Sequence, residues 1–155
     1  MTALNAGDFA PDFDLARGGG GRMRLSELRG RPVVVYFYPK DDTESCTKEA
    51  LGFSESAAEF RALGAEIIGI SPDSVKSHDK FRTKHGLDII LGADEDRQAI
   101  EAYGVWTEKS MYGRRYMGVE RSTFLIDANG KIAKLWRGVK VAGHVAAVLE
   151  AVKAL

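Results

Sequence analysis

The residue best suited to covalent chemistry is Cys46, the only cysteine in this chain of 155 residues. A lone cysteine excludes an intrachain disulfide, a four-thiolate zinc or iron–sulfur site and a CxxC redox pair. Two interpretations remain: a small buried side chain without chemistry, or a nucleophile that acts without a partner in its own chain. Free cysteines are among the most buried residue types, so the surrounding residues must decide between them.

The residues before Cys46 favour a reactive thiolate. The cysteine follows Pro39 and the polar turn 40–45, in which either Thr43 or Ser45 can cap a helix. Both assignments place the sulfur in the first helical turn. There the unpaired backbone N–H groups and the positive end of the helix dipole stabilise a thiolate.

A helix terminus alone is too weak to make a cysteine thiol strongly acidic. Lowering a thiol pKa from about 8.5 to about 6 needs about 3.4 kcal/mol of preferential thiolate stabilisation. A helix terminus supplies about 0.3 to 1 kcal/mol, and at most about 2 kcal/mol. A second contributor is therefore needed. The hydroxyl of Thr43, three residues earlier, can point into the same space, and an arginine from elsewhere in the fold could supply charge.

Hydrophobic periodicity predicts the elements that position Cys46. The run Val33–Tyr38 is β-branched and aromatic, which is typical of a strand buried on both faces. Apolar spacings of three and four predict helices after it. The predicted order is strand 33–38, helix 46–63, strand 65–70, helix 75–84 capped by Ser74, and strand 89–91. Alternating strands and helices indicate a parallel α/β core.

The second half of the chain predicts an antiparallel closure of the sheet. Two strand-like runs, Ser122–Ile126 and Lys131–Trp136, flank the turn Asp127-Ala-Asn-Gly130, and a helical stripe of valines follows from Val141 to Val152. This order is that of a thioredoxin-like α/β fold, with a central mixed sheet flanked by helices. The length predicts a single domain covering residues 1–155.

Composition excludes several classes of function. The 22 Lys and Arg residues balance the 22 Asp and Glu residues, which argues against a nucleic-acid binder. The longest apolar run is far shorter than the roughly 20 residues of a membrane helix, and the N-terminus lacks the pattern of a secretory signal. We therefore expect a cytoplasmic protein that binds neither nucleic acid nor membrane.

Three further features of the sequence predict structure rather than chemistry. The glycines at 18–21 are expected to form a flexible hairpin tip, because no phosphate-binding pattern surrounds them. The aromatic segment 105–118 lacks periodicity and is expected to be a surface loop, either functional or simply packed. His78, His85 and His144 are expected at the surface, and no metal or cofactor is expected.

The spacing Pro39-x-x-x-Thr43-x-x-Cys46 resembles the active-site signature of the peroxiredoxins, and more narrowly that of their bacterioferritin comigratory protein branch, also called PrxQ. Similar stretches span nearly the whole chain: Gly7–Leu15, Arg24–Gly30, Gly69–Ser74, Gly113 and Arg121–Asp127. The resemblance implies a cofactor-free thiol peroxidase that reduces hydrogen peroxide and organic hydroperoxides. Cys46 would be the peroxidatic nucleophile and would become a sulfenic acid.

The resemblance also implies roles for four further residues. Arg121 matches the arginine that completes such sites, and it would act with Thr43 as a donor to the departing oxygen. Pro39 would shield the sulfenate. Without the resemblance, sequence spacing alone would favour another interpretation, in which Arg121 only forms a salt bridge at the start of a strand. Glu49, one turn beyond Cys46, either orients an arginine or only interacts with the helix dipole.

The sequence departs from its relatives where a second cysteine would resolve the sulfenic acid. Those positions, five and about thirty-six residues after Cys46, hold Leu51 and Arg82. The resemblance therefore implies reduction by an external thiol: thioredoxin, glutaredoxin or a low-molecular-weight thiol. It also implies a monomer or weak homodimer. Glu44 and Ser45 replace a usual Pro-Gly pair, and we expect Glu44 to face solvent.

Two other functions are compatible with parts of the sequence. A redox sensor or interaction protein would keep the reactive cysteine but turn over slowly. A thioredoxin-like disulfide reductase is disfavoured, because it needs a CxxC pair that the chain lacks.

Overall fold

The computed structural model describes residues 3–155, which form nine strands and five α-helices. The strands are β1 (Asp14–Arg17), β2 (Arg22–Arg24), β3 (Val33–Phe37), β4 (Glu66–Ser71), β5 (Ile90–Ala93), β6 (Trp106–Met111), β7 (Arg114–Val119), β8 (Ser122–Ile126) and β9 (Ile132–Arg137). The helices are α1 (Glu44–Glu55), α2 (Ala57–Ala62), α3 (Val75–His85), α4 (Gln98–Ala102) and α5 (His144–Lys153), with a short 3₁₀ helix at Leu25–Leu28. Seven strands form one sheet in the order β2-β1-β5-β4-β3-β8-β9.

Strand β3 lies in the interior of this mixed sheet, between β4 and β8. It pairs in parallel with β4 and antiparallel with β8, and all five of its residues are buried. Its alternating side chains enter two hydrophobic clusters, with Val33, Val35 and Phe37 in one and Val34 and Tyr36 in the other. The second cluster includes residues of α1, α2, α3 and α5, whereas α4 contributes to the first. The prediction of a strand buried on both faces within a mixed α/β sheet is confirmed.

The first predicted helix differs from the structure in two ways, and the helix after β4 matches its prediction. The helix predicted at 46–63 is divided in two at Ser56, and its first part begins at Glu44, directly after the extended Thr43. Ser74 caps α3 as predicted, because its hydroxyl accepts the Ser77 N–H, and Gly86 ends the helix with a φ of 60°. Within residues 3–155, no helix has both the length and the apolar character needed to cross a membrane.

The segment predicted as a loop at 105–118 contains a β-hairpin instead. Strands β6 and β7 pair through the turn Tyr112–Gly113, where both residues have positive φ. Met111, Tyr112, Tyr116 and Met117 are exposed, so the apolar residues of this hairpin do not alternate toward a core. A strand is recognised in a sequence by alternating apolar and polar residues when one of its faces is buried. Neither face of this hairpin is buried in that way, so its strands were not predicted. The glycines at 18–21 do form the tip of the β1–β2 hairpin, as predicted.

Candidate active site

Cys46 is the third residue of α1, and its side chain is buried with 2% of the residue exposed. The helix follows β3 through a short loop, so the first turn of α1 lies beyond the carboxyl end of that strand. In open α/β sheets this edge is where ligands bind. The sequence placed Cys46 in the first helical turn, and the structure agrees.

Arg121 joins Cys46 to Glu49. It directly precedes β8, whose first residue, Ser122, pairs with Phe37 at the end of β3. The register therefore brings Arg121 to the sheet edge that holds the cysteine. Its guanidinium donates from Nη2 to the Cys46 sulfur at 3.3 Å and from Nη1 to Glu49 Oε1 at 2.6 Å.

Burial controls the electrostatics of this three-residue cluster. Glu49 is completely buried, and burial raises its pKa to about 7, although the charge of Arg121 and its hydrogen bond lower it. Burial opposes the charged form of Arg121, but the negative charges of Glu49 and Cys46 outweigh it, so the pKa of Arg121 is raised. Glu49 thus contacts the arginine directly, which favours its orienting interpretation over a dipole interaction alone.

Thr43 and Pro39 lie in the loop before α1. Thr43 occupies the N-cap position, but its exposed hydroxyl donates to the carbonyl of Lys40 at 2.9 Å. Among the described residues it makes no side-chain capping bond, so the first N–H groups of α1 remain available at the site. Pro39 is half-buried. The structure therefore groups Cys46, Arg121 and Glu49 by direct contact, with Thr43 and Pro39 in the adjoining loop.

The residues at the two resolving positions are engaged in packing. Leu51 is half-buried in α1 and packs against the second hydrophobic cluster. Arg82 lies in α3, and its side chain packs over the backbone of the glycine turn at 18–21. A Cβ atom added to Gly19 would lie 2.9 Å from Arg82 Nη1. Glu44 faces solvent, with 85% of its side chain exposed, and pairs with Lys48 at 3.2 Å. The prediction for Glu44 is confirmed.

The prediction of surface histidines is wrong for two of the three. His78 is completely buried and His144 is 6% exposed, because polar partners satisfy their rings inside the protein. The ring of His144 lies 2.8 Å from the hydroxyl of Thr123 through Nε2, and burial and the charge of Arg121 lower its pKa to about 4. His85 is half-buried and lies 2.8 Å from Asp42.

A second polar cluster lies on the other side of the loop, and sequence reasoning missed it. Ligand-type atoms of Asp41, Asp73 and His78 fall within 4.8 Å of one another, as metal ligands would. These atoms are already occupied by hydrogen bonds inside the protein. Asp41 and His78 are far apart in sequence and share no motif, so spacing offered no signal for their contact.

Lys109 is a further cation whose pKa responds to the charges of Arg121 and Cys46. It is half-buried on β6, and its aliphatic chain packs over Gly118 of β7, toward the base of the hairpin. A Cβ atom added to Gly118 would lie 3.2 Å from Lys109 Cδ. Burial and the charge of Arg121 lower the pKa of Lys109, while the charge of Cys46 partly offsets them. Nothing in the sequence singled out this residue, because the segment was expected to be a loop.

Comparison with known proteins gives a consistent result over almost the whole chain. The profile of the AhpC/TSA family matches residues 6–135. Peroxiredoxin Bcp of Bacillus subtilis is 47% identical over 150 residues, a match that covers 97% of this chain and 96% of the relative. Peroxiredoxin Bcp of Escherichia coli is 40% identical over 153 residues, covering 99% and 98%.

Solved structures give the same result. A structure of the Xanthomonas campestris bacterioferritin comigratory protein, described in terms of alkyl peroxide reduction, superposes with a TM-score of 0.91 at 45% identity and covers 97% of this chain and 98% of that one. A structure of peroxiredoxin Q from the same organism gives a TM-score of 0.88 at 47% identity, covering 92% and 90%.

Proposed function

The chain belongs to the AhpC/TSA family, within the bacterioferritin comigratory protein branch of the peroxiredoxins, and we propose that Cys46 is the residue with which it attacks peroxides. The predicted family resemblance and thioredoxin-like fold are both confirmed. Peroxiredoxins are thiol-dependent peroxidases, and this one has a single cysteine for the reaction. The observation that carries the residue assignment is the Arg121 Nη2 to Cys46 Sγ contact of 3.3 Å at the start of α1.

In the first step the Cys46 thiolate attacks the terminal oxygen of ROOH. A sulfur–oxygen bond forms, the O–O bond breaks, and the departing RO⁻ takes up a proton to become water or an alcohol. Negative charge moves from sulfur to the departing oxygen, so fixed donors along that line lower the barrier. Arg121 is proposed as the main donor, with the N–H groups of the first turn beside it. The Thr43 hydroxyl is proposed to join them by turning from the Lys40 carbonyl, to which it donates in this structure. Pro39 is proposed to shield the sulfenate.

In the second step an external thiol restores the cysteine. A thiol R′SH attacks the sulfenic acid and releases water, leaving Cys46 in a mixed disulfide with R′. A second thiol then attacks that disulfide and frees the Cys46 thiolate. The proposal follows from the single cysteine, because neither Leu51 nor Arg82 can form a disulfide. Thioredoxin, glutaredoxin and low-molecular-weight thiols are the candidate reductants.

Glu49 is proposed as a positioning residue for Arg121. Its Oε1 accepts the 2.6 Å hydrogen bond that fixes the guanidinium plane, which leaves Nη2 free to contact sulfur. Three expectations from the sequence accompany this proposal as predictions: a single domain over residues 1–155, a cytoplasmic location, and a monomer or weak homodimer.

The proposal is tested by rapid-mixing measurement of peroxide consumption with each candidate reductant in turn. We expect saturable turnover with at least one reductant and none with the Cys46→Ser variant. Glu44→Gln, which changes an exposed residue of the same turn, is the matched control and should turn over like the wild type. Oxidation of Cys46 by one equivalent of peroxide without turnover with any reductant would instead favour a sensor, which the family relationship does not favour.

A further inference from the structure

A largely buried polar network holds the loop that leads into α1. Asp41, which is 7% exposed, is its centre. Its Oδ1 accepts the Tyr38 hydroxyl at 2.6 Å, and its Oδ2 lies 2.8 Å from the Ser77 hydroxyl and 2.7 Å from His78 Nδ1. The other ring nitrogen of His78 lies 3.0 Å from the carbonyl oxygen of Gly92. One loop residue is thereby tied to β3, α3 and β5.

Asp41 and His78 share one proton between them. The carbonyl of Gly92 can only accept, so His78 Nε2 carries a hydrogen. The short contact between His78 Nδ1 and Asp41 Oδ2 then needs a single proton, on either atom, and the pair is neutral as a unit. A neutral, fully bonded pair is tolerated in the interior, whereas either member alone would leave a buried group without its partner.

The same loop is fixed at two more points. The backbone N–H of Asp41 donates to Asp73 Oδ2 at 2.8 Å, and Asp73 is itself held by the Ser71 hydroxyl at the end of β4. The next residue, Asp42, adopts a positive φ of 62° and accepts from Lys84 at 2.6 Å. The backbone just before Thr43 therefore has little freedom to move.

This rigidity matters because the Cys46 sulfur must react with two different partners. A small peroxide can reach a sulfur that is 2% exposed, but a thiol on a larger reductant needs the first turn of α1 to open. Opening that turn requires movement of the loop that Asp41 anchors. The peroxide step is favoured by the closed loop, and the reduction step is favoured by the open one.

We propose that the Asp41–His78 pair is a latch that sets the balance between these two states of the Cys46 turn. This inference rests on the proposed peroxidase function of Cys46. Asp41 and His78 are positioning residues, because they act on the sulfur through the loop and touch neither the sulfur nor Arg121. Breaking the latch therefore slows the attack on peroxide and speeds the access of thiol reagents to Cys46.

Three variants of the latch separate its hydrogen bonds from its charge. His78→Leu and Asp41→Ala each leave the partner buried without its contact. Asp41→Asn keeps the shape and the bonds, since the amide oxygen can accept from Tyr38 while the amide N–H donates to a neutral His78. We expect the first two to open the turn and Asp41→Asn to remain close to wild type.

Two controls separate opening of the loop from general loss of stability. Ile100→Val removes a buried methyl group from the opposite hydrophobic cluster and lowers stability without touching the loop. Asp88→Asn removes the charge from an ion pair in which Asp88 lies 2.7 Å from Arg61, outside the loop and the Cys46 turn. Both controls should keep wild-type rates at Cys46.

The experiment measures two rates for each variant: alkylation of reduced Cys46 by iodoacetamide, and oxidation of Cys46 by hydrogen peroxide. His78→Leu and Asp41→Ala should alkylate about tenfold faster and oxidise about tenfold more slowly, the change that loss of one buried hydrogen-bonded contact gives. A general loss of stability would give the same opposite changes in Ile100→Val, and that result overturns the latch, as do unchanged rates in His78→Leu. So does an Asp41→Asn variant that behaves like Asp41→Ala.

The failure of this inference is distinct from failure of the proposed function. Alkylation of Cys46 needs no peroxidase activity, so the latch can be judged by that rate even in a protein that fails to turn over. Hydrogen exchange of the first-turn amides of α1 supplies a second readout. Faster exchange confined to the loop and that turn in His78→Leu supports the latch, and unchanged exchange there overturns it.

Discussion

Two buried polar clusters flank the first turn of α1, and they differ in how completely their hydrogen-bonding atoms are satisfied. In the Arg121–Glu49 cluster, Glu49 Oε2 and the nearby Tyr36 hydroxyl are buried without a partner among the described residues. In the Asp41–His78 cluster, the carboxylate and both ring nitrogens have partners within 3.0 Å. The two regions share one loop and one helix terminus.

The difference corresponds to what each cluster has to do. A buried polar atom without a partner costs stability, so a protein retains it where a changing charge or an incoming group makes use of it. Arg121 contacts the sulfur and Glu49 holds Arg121, and in the proposed reaction the negative charge leaves the sulfur when the thiolate attacks peroxide. Asp41 and His78 do not touch the sulfur, and their complete set of bonds fixes the position of the loop. Under the proposed function, the incomplete cluster serves the reaction and the complete cluster serves the geometry of the loop.

The largest effect should come from removing the nucleophile. In Cys46→Ser the hydroxyl is not ionised at neutral pH, so we expect peroxide consumption to fall by at least about 10³-fold. Stopped-flow assays with peroxide check this, and circular dichroism confirms that the fold is kept. Residual consumption within tenfold of wild type would show that the sulfur does not carry the reaction.

Removing the cation beside the sulfur should have the next largest effect. Arg121→Ala deletes the donor at 3.3 Å and leaves Glu49 buried without its ion pair, so we expect oxidation of Cys46 to slow by about 10²- to 10³-fold. Arg121→Lys keeps the charge but cannot reach both partners in one plane, and it should fall between. Equal rates for Arg121→Ala and wild type would assign Arg121 to the salt-bridge interpretation alone.

Glu49→Gln tests the incomplete cluster through its pH dependence. Burial raises the pKa of Glu49 from 4.5 to about 7, so the folded state retains a proton that the unfolded chain releases between these values. The stabilisation from this group is full below about pH 4.5 and is lost as the pH rises through about 7. Glutamine does not titrate, so the free energy of unfolding of Glu49→Gln, relative to wild type, should rise by up to about 3 kcal/mol over that range.

Urea titrations at several pH values measure that difference. The His144 ring acts in the opposite sense in both proteins, because burial lowers its pKa from 6.5 to about 4 and its stabilisation is lost as the pH falls through about 4. It cancels when the variant is subtracted from wild type. Parallel stability curves for the two proteins would contradict the buried-carboxyl account of Glu49.

The smallest effect should come from Glu44, which stands where the family resemblance implies a proline. Its side chain is 85% exposed and pairs only with Lys48, so Glu44→Gln should change the oxidation rate of Cys46 less than about twofold. The same stopped-flow assay measures it. A change of tenfold or more would mean that this carboxylate approaches the sulfur in solution.

The sequence predicted those parts of the site that depend on local structure or family resemblance. The buried strand, the polar turn and the helix terminus are local, so Cys46 was placed correctly in the first helical turn. Thr43, one of two candidate caps, occupies the N-cap position, but its hydroxyl bonds the Lys40 carbonyl. Arg121 came from the resemblance, and strand register explains why it reaches the sulfur. The apolar pattern began α1 at Cys46, two residues late, because Glu44 and Ser45 carry no apolar periodicity, whereas the Thr43 alternative for the cap gave the observed start.

What the sequence could not provide depends on contacts between distant elements. His78 lies on the third helix, and only its packing against the loop brings it to Asp41. Lys109 lies on the β6–β7 hairpin, whose large apolar residues are exposed. The sequence therefore shows no alternation of apolar and polar residues there, and the hairpin was not predicted. His144 was assigned to the surface because a histidine alone does not reveal a buried threonine partner. Tertiary contacts of this kind leave no local signal in a single sequence.

The most direct test of the central claim is the intact mass of the protein after one equivalent of hydrogen peroxide, followed by addition of a candidate thiol. The account predicts a gain of one oxygen atom at Cys46, then replacement of that oxygen by the mass of one thiol in a mixed disulfide, then return to the starting mass with excess thiol. No oxygen gain at Cys46, or an oxidised form that no external thiol can convert, would contradict it.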